Sequence, residues 1–470
     1  MAADPLRWKA LTIVCAAFFM TILDVSIVNV ALPSIGKSLH FSESNLQWVI
    51  TAYAITFGGF LLLAGRLADL FGRRKVFLAG VVIFTLASLV CGLAWSEGVL
   101  IASRAVQGFG AAVITPSALS IVMTTFEEGA ERNKALGIWG ALGGGGAAVG
   151  VLAGGLLTKY LGWEWIFFVN VPVGALAFLA APRFVRESKA ERETSHDFGG
   201  AITVTGGLAL LVYAVSEAPN YGWTSGRTLG VLAAAAVLIA AFLVIEARAK
   251  DPLMPFRIFR IHTVAGANLI GAFLGVVTFA NFFLLTLYVQ QVLGYSALKT
   301  GVTFVATAGT AVLWAGFAQA LTTKLGVKPV LTAGFLAMIA GSIYYTQVPT
   351  HGSFWSALLP GYLLIGFALP FTFIPISIAA LAGVDHDEAG LASGLINTAQ
   401  QVGGAIGVAI CSSVSLSRFN HLVSTHGFAS AFTSGTHVGF WVLVGVSIAA
   451  LLAGLVIISN EELAAEPAPA

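Results

Sequence analysis

The 470-residue chain is 57% hydrophobic and only 10% charged, against the roughly 25% charged residues of soluble globular domains. That composition excludes a water-soluble fold, and a net charge of +2 from 24 basic and 22 acidic residues leaves no global basic surface for nucleic acid. Cys15, Cys91 and Cys411 fall inside or at the edge of apolar runs, without ligand spacing for metal or redox chemistry, and read as small packing residues.

In chain order, apolar runs bounded by charges, Gly/Pro clusters or polar loops lie near 9–33, 46–68, 75–95, 98–124, 133–160, 163–183, 198–217, 226–248, 262–293, 298–322, 328–348, 353–380, 388–416 and 435–459. Runs of about 20 apolar residues span hydrocarbon as helices, so the expected fold is an all-α membrane protein with fourteen transmembrane helices. The first run is too long for a cleaved leader, contains Asp24 and lacks a clear cleavage site, so it is expected to stay. Eighteen Lys and Arg residues fall in alternate loops on one side and five on the other, with Arg104 inside a span. Cytoplasmic loops retain basic residues, which places both termini in the cytoplasm. Residues 460–470, acidic and rich in Pro and Ala, read as a short disordered tail.

Nearly all the acids fall in loops or at helix ends; the exception is Asp24. It lies roughly 22 Å along the first helix from Lys9 and roughly 13 Å short of Pro33, in the outer half of the hydrocarbon, where a carboxylate must be paired, hydrated or protonated. Arg104 is the one cation at comparable depth, roughly 9 Å below the outer surface once its helix enters near Gly98. If the two meet, the cation and the low-dielectric surroundings pull the carboxyl's proton affinity in opposite directions, so small changes in distance or hydration move it across neutral pH. That is what a proton-coupling group needs. The alternative is a fixed salt bridge that ties helices 1 and 4 together. The eight histidines lie in loops or near helix ends and offer no competitor.

Between the second and third runs stands Gly65-Arg66-Leu67-Ala68-Asp69-Leu70-Phe71-Gly72-Arg73-Arg74-Lys75. Its glycines permit a tight turn and its arginines stay in water; alone, it would be an ordinary positive-inside loop. In the fifth run Gly146, Gly150 and Gly154 form a small-residue stripe against which another helix can pack closely. Two nucleotide-like segments fail on context. Gly143–Gly146 lies inside an apolar span, where backbone amides are already bonded. Ala31–Ser38 lacks the first glycine of a phosphate loop and follows a membrane helix instead of a strand. No nucleotide is expected. His421, His426 and His437 are too irregularly spaced for a metal site.

Together these segments resemble the major facilitator superfamily, whose signature in the loop between helices 2 and 3 has the same glycine, aspartate, glycine and paired basic residues. Six further segments are similar to its drug:proton antiporter branch with fourteen spans: Leu23–Pro33 around Asp24, Arg104–Gly110, Trp163–Gly174, Gln290–Ser296, and Gly390–Gly394 with Gln400–Gly404. Helix 5 departs from the branch, with Ala147 and Val151 where prolines of Gly-Pro pairs would stand, and Glu164 replaces a common arginine.

The resemblance implies the major facilitator fold, with one six-helix bundle in residues 1–183, two inserted helices within 184–261 and a second bundle in 262–459, each bundle made of inverted three-helix repeats. Gln319–Lys328 would be the degenerate counterpart of the first basic loop. It further implies a proton-coupled secondary transporter in the cell membrane that exports hydrophobic or cationic small molecules, with the proton gradient as energy source and no cofactor. The missing prolines leave a proton symporter or a facilitator on the same fold open. Helices 1, 4, 9 and 12 would line the cavity, which nominates Asn29, Gln107, Phe279, Asn281, Phe282, Phe283, Phe367 and Phe371, although such phenylalanines also serve lipid contact or packing. Asp69, Arg73 and Arg74, flanked by Gly65 and Gly72, would latch the two halves on the cytoplasmic side in the outward-facing state; topology signalling alone is the alternative. An enzyme or receptor would need convergent catalytic groups or a soluble sensor domain, for which the loops are too short.

Overall fold

The computed structural model describes residues 6–126, 130–188, 198–249, 252, 254, 256–382, 384 and 389–458; the tail expected at 460–470 lies outside them. Fourteen long helices are described: α1 (Arg7–Ser38), α2 (Trp48–Phe71), α3 (Arg73–Gly92), α4 (Glu97–Thr125), α5 (Ala130–Tyr160), α6 (Asn170–Phe184), α7 (Phe198–Tyr221), α8 (Gly226–Arg248), α9 (His262–Leu287), α10 (Ala297–Leu325), α11 (Val327–Tyr345), α12 (Leu359–Leu381), α13 (Ala389–His426) and α14 (Phe428–Ile457). Each apolar run read from the sequence holds one of them. Among the described residues, twelve helices are long and apolar enough to cross a membrane, while α2 and α5 contribute the shorter apolar stretches Trp48–Leu61 and Val149–Tyr160. Large apolar side chains such as Leu179 and Val456 stand exposed, at 72% and 81%, which a lipid solvent accommodates and water does not.

Helix boundaries follow local chemistry. Ser42, Ser96, Ser296 and Ser353 each accept a backbone N–H three residues ahead, from Asn45, Val99, Lys299 and Ser356, supplying a partner for an otherwise orphaned donor. Two one-residue hinges need glycine: Gly72 between α2 and α3 (φ 102°) and Gly326 between α10 and α11 (φ 85°), where a side chain would be strained. These are the two basic loops matched in the sequence, so the second keeps the hinge after losing the aspartate. The helices also outrun two expected boundaries. α1 continues past Pro33 to Ser38 with Lys37 in its last turn, a favourable place for a cation. Ala31–Ser38 is thus helical, with no open amide cradle. α13 continues to His426 and α14 starts at Phe428, because the polar stretch read as a loop has no proline and breaks only at Gly427 (φ 74°).

The chain divides into two compact units, residues 1–205 with 241–253 and residues 206–240 with 254–470. In the first, α5 packs on α1 through the predicted glycine stripe: Gly146 meets Ile22, Gly150 meets Leu23 and Ser26, and Gly154 meets Ile27. A Cβ at Gly154 would stand 2.7 Å from the Ile27 carbonyl oxygen, so the backbones approach more closely than any side chain allows. In the second unit α9 and α13 cross the same way, with Gly403 against the Ala272 backbone and Gly407 against Val276. The motif Gln400–Gly404 thereby acquires a structural meaning, the counterpart of the α1/α5 crossing. An apolar cluster of α1, α3, α4 and α6, including Val14, Met20, Phe77, Phe84, Ile114 and Ala177, fills the half of the first unit nearer the start of α1.

Candidate functional site

Asp24 lies near the middle of α1 and is completely buried. Four other helices of the first unit converge on it. α4 carries Arg104 and Gln107, three residues apart and therefore on one face. α3 supplies Ser88 and Cys91 with the same spacing, α6 begins at Asn170, and α2 contributes the Val49 carbonyl and Tyr53. All these polar side chains are buried.

The hydrogen bonds form a closed network. Arg104 Nη1 donates to Asp24 Oδ2 and, at 2.6 Å, to Gln107 Oε1. Arg104 Nε donates to the Val49 carbonyl at 2.8 Å. The guanidinium lies 4.4 Å from the Tyr53 ring centroid and 5.7 Å from that of Phe167, where aromatic faces attract a cation. Asp24 Oδ1 accepts from Gln107 Nε2 at 2.8 Å and from Asn170 Nδ2 at 3.2 Å. Those same two amides also donate to Ser88 Oγ, at 3.1 and 3.0 Å, and Ser88 donates to the Phe167 carbonyl at 2.9 Å. Cys91 Sγ, 3.5 Å from Gln107 Oε1, closes the edge.

A buried ion pair is costly to desolvate and stands only when its remaining donors and acceptors find partners. Here Arg104 Nε and Nη1 and both carboxylate oxygens have partners, and Gln107 with Ser88 distributes the hydrogen bonds among four helices. The result is a preorganised seat for a carboxylate with a single counter-ion. Any cargo or proton that takes up the charge of Asp24 changes the demands on every member of the network at once.

The structure brings together Asp24, Arg104 and Gln107 from the sequence reading, with Gln107 engaged in the network. It also adds Ser88, Asn170, Tyr53 and Cys91. Asn170 stands in the motif Trp163–Gly174, where an amide within an apolar stretch was the available signal. Cys91, read as packing, also borders polar atoms. Asn29 sits five residues beyond Asp24; its Nδ2 donates to the Val25 carbonyl, while its buried Oδ1 has no hydrogen-bond partner.

The other nominated wall residues belong to the second unit. Phe367 and Phe371 stack on each other at 4.1 Å and meet Trp314 edge-on at 5.1 and 6.2 Å. Phe279 lies against Gly404, Phe282 packs 5.1 Å from Phe304, and Phe283 is fully buried. Asn281 is buried with its Nδ2 unpartnered.

In the basic loop the side chains of Arg66 and Asp69 lie outside the described residues. Gly65 makes ordinary contact with Pro116, and Gly72 forms the hinge. Glu187, not singled out from the sequence, caps α3: its carboxylate accepts from the backbone N–H of Arg74 at 3.0 Å and of Lys75 at 3.2 Å. Arg74 Nη1 in turn donates to the Pro182 and Val185 carbonyls at 3.3 and 3.2 Å, tying the loop to the end of α6. Among the described residues no group of three or more His, Cys, Asp or Glu side chains is placed to hold a metal.

Residues 14–408 match the sequence profile of the Major Facilitator Superfamily. The chain is 40% identical over 453 residues to the puromycin resistance protein of Streptomyces alboniger, covering 96% of this chain and 90% of that one. It is 37% identical over 406 residues to the cephamycin export protein of Amycolatopsis lactamdurans, covering 85% and 83%. In three dimensions it resembles a peptide transporter of the POT family at a TM-score of 0.70, with 16% identity over 96% of this chain and 97% of that one.

Proposed function

This chain belongs to the Major Facilitator Superfamily of membrane transporters, and we propose that it exports hydrophobic or cationic small molecules, antibiotics among them, in exchange for protons. It is a multi-pass membrane protein with the major facilitator fold, and a transporter, not an enzyme. The substrate class rests on relatives named for puromycin resistance and cephamycin export. The coupling rests on one observation: a fully buried mid-helix carboxylate, Asp24, held by a single arginine within a shared hydrogen-bond network.

The proposed cycle needs no cofactor beyond the proton gradient. A deprotonated Asp24 favours a cationic substrate entering from the cytoplasm. After the two bundles rock outward, protonation from outside releases the cargo. One coupling acid moves one proton per cycle, so exchange for a monovalent cation is electroneutral. Exchange for a neutral drug is electrogenic, and each charge returned contributes about 2.3 kcal/mol per 100 mV. Both termini lie in the cytoplasm on this reading, Asn29, Asn281 and the nominated phenylalanines face the cargo, and Asp69, Arg73 and Arg74 latch the cytoplasmic side. The bundles at 1–183 and 262–459 are the moving halves, with the pair within 184–261 as an insertion.

The test is drug accumulation in inside-out membrane vesicles with an acidic lumen. Wild-type protein is expected to accumulate drug and Asp24→Asn to lose the proton-driven part. Unchanged proton-driven uptake by that variant would remove the coupling site. A symporter or facilitator is the second reading, favoured by the proline-free Ala147–Val151 stretch of α5, which runs as one helix through this region; it predicts no accumulation under the acidic-lumen gradient.

A further inference from the structure

Within the network around Asp24 one buried polar atom is idle. Asn170 donates through Nδ2 to Asp24 Oδ1 and Ser88 Oγ, but its Oδ1 has no hydrogen-bond partner although the residue is only 1% exposed. Gln107, by contrast, has both ends engaged: Oε1 with Arg104 and Cys91, Nε2 with Asp24 and Ser88. A buried acceptor left without a donor is an expense that native structures seldom carry without a reason.

The reason follows from what the carboxyl requires in its two protonation states. As a carboxylate, Asp24 accepts only. As an acid it must place one O–H, and an acid can donate only to an acceptor. Its Oδ2 faces Arg104 Nη1, which has nothing to accept with, so the proton belongs on Oδ1. There the neighbours are Gln107 Nε2 and Asn170 Nδ2, both donors. Gln107 could offer its oxygen only by breaking its bonds to Arg104 and Ser88. Asn170 offers its own by a half-turn of the carboxamide about Cβ–Cγ.

We propose that Asn170 is the positioning residue that lets Asp24 take up and release its proton, its amide donating to the carboxylate and turning over to accept from the acid. This rests on the reading of Asp24 as the coupling group. The proton arrives from water on an Oδ1 lone pair, and no other covalent bond changes. After the turn Asp24 Oδ1–H donates to Asn170 Oδ1, the acid's oxygen still accepts from Gln107, and Ser88 keeps its bond from Gln107. Before the turn the Asn170 oxygen goes unpartnered; after it Nδ2 does, and the bond from Asn170 to Ser88 is given up for the one from the acid, whereas the same turn of Gln107 would also set its Nε2 against the Arg104 cation. Among the described residues the titratable or charged groups facing the pair are Asp24 from α1, Tyr53 from α2, Cys91 from α3 and Arg104 from α4. α5 faces α1 there with glycines, and α6 brings Asn170 alone.

The test is pH-difference infrared spectroscopy on full-length protein carrying 13C-labelled asparagine side chains. Asp24→Asn identifies the Asp24 carboxyl band and Asn170→Leu the Asn170 amide band. On acidification the wild type should show the Asn170 carbonyl band move from a free to a hydrogen-bonded position in step with the appearance of the Asp24 acid band. In Asn170→Leu that acid band should move to the higher frequency of a non-donating acid. The efflux pH midpoint should rise by about one unit, because the lost bond to the charged form is roughly twice as strong as the lost bond to the neutral one. Asn170→Ser serves if the leucine variant does not fold, and the wild-type spectrum needs no variant to fold. An Asp24 band that titrates while the Asn170 band stays fixed overturns the inference and leaves the coupling reading standing. Absence of any Asp24 band, with proton-driven efflux intact in Asp24→Asn, overturns both.

Discussion

Replacing Gly150 by alanine tests how the fold seats Asp24. A Cβ at this position would lie 3.0 Å from the Leu23 carbonyl oxygen and 3.0 Å from Ser26 Cβ, and would overlap the Ser26 hydroxyl. The hydroxyl can rotate, but the carbonyl is fixed in the α1 hydrogen-bond ladder. Helix α5 must therefore back away from the turn that carries Asp24. Overpacking of this kind costs about 1–3 kcal/mol, offset by about 1 kcal/mol of improved helix propensity, for a net loss of up to about 2 kcal/mol. At about 2–4 °C per kcal/mol, the melting temperature in detergent should fall by up to roughly 8 °C, with drug efflux reduced. Gly309→Ala is the control, since nothing lies within 4 Å of a Cβ there; it gains propensity without a clash and should melt at the same temperature or slightly higher. Equal melting temperatures for the two variants would refute the claim that close backbone approach at Gly150 positions α1.

Arg104→Lys retains the charge but cannot serve Asp24, Gln107 and the Val49 carbonyl at once in the planar geometry observed; efflux should fall about tenfold or more while detergent-purified protein remains monodisperse on gel filtration. Glu187→Gln removes the charge that caps α3 and pairs with Arg74 at 3.8 Å. It should lower the melting temperature by a few degrees, about 1 kcal/mol, without altering drug affinity. Hydrogen bonds from Arg7 hold the exposed Glu131 carboxyl below its ordinary range. Its small contribution is therefore complete above the unfolded value and is lost as pH falls through the folded one, so the effect of Glu131→Gln on thermal stability should be full at pH 7 and shrink as the pH falls below the ordinary carboxylate range.

Depth arithmetic along two helices was enough to pair Asp24 with Arg104, because charges in hydrocarbon are few and helical rise is fixed. The glycine stripe Gly146–Gly150–Gly154 was legible as a packing face, but its partner was not, since spacing records a face and says nothing of what meets it. Ser88 carries no signal, and Asn170 stands in a matched motif without a role, because a single small polar residue in an apolar run leaves the pattern intact; their value arises only where α3 and α6 meet α1 at Asp24. Gln107 is nominated as a cavity-wall residue because the resemblance puts helix 4 at the cavity, yet its spacing of three from Arg104 places it on the face turned to Asp24. Glu187 lies in a loop where every acid looks alike until the backbone brings it to the start of α3. The continuation of α13 past residue 416 was hidden by polar residues that, at the end of a long helix, do not end it.

The central claim is that Asp24 gives up its proton when cargo binds. Purified protein in weakly buffered detergent, with a pH-sensitive dye, can be mixed with a lipophilic cation such as tetraphenylphosphonium or with puromycin. The account predicts release of about one proton per bound ligand from the wild type and none from Asp24→Asn. Ligand binding by the wild type without proton release, or equal release from the variant, would contradict it.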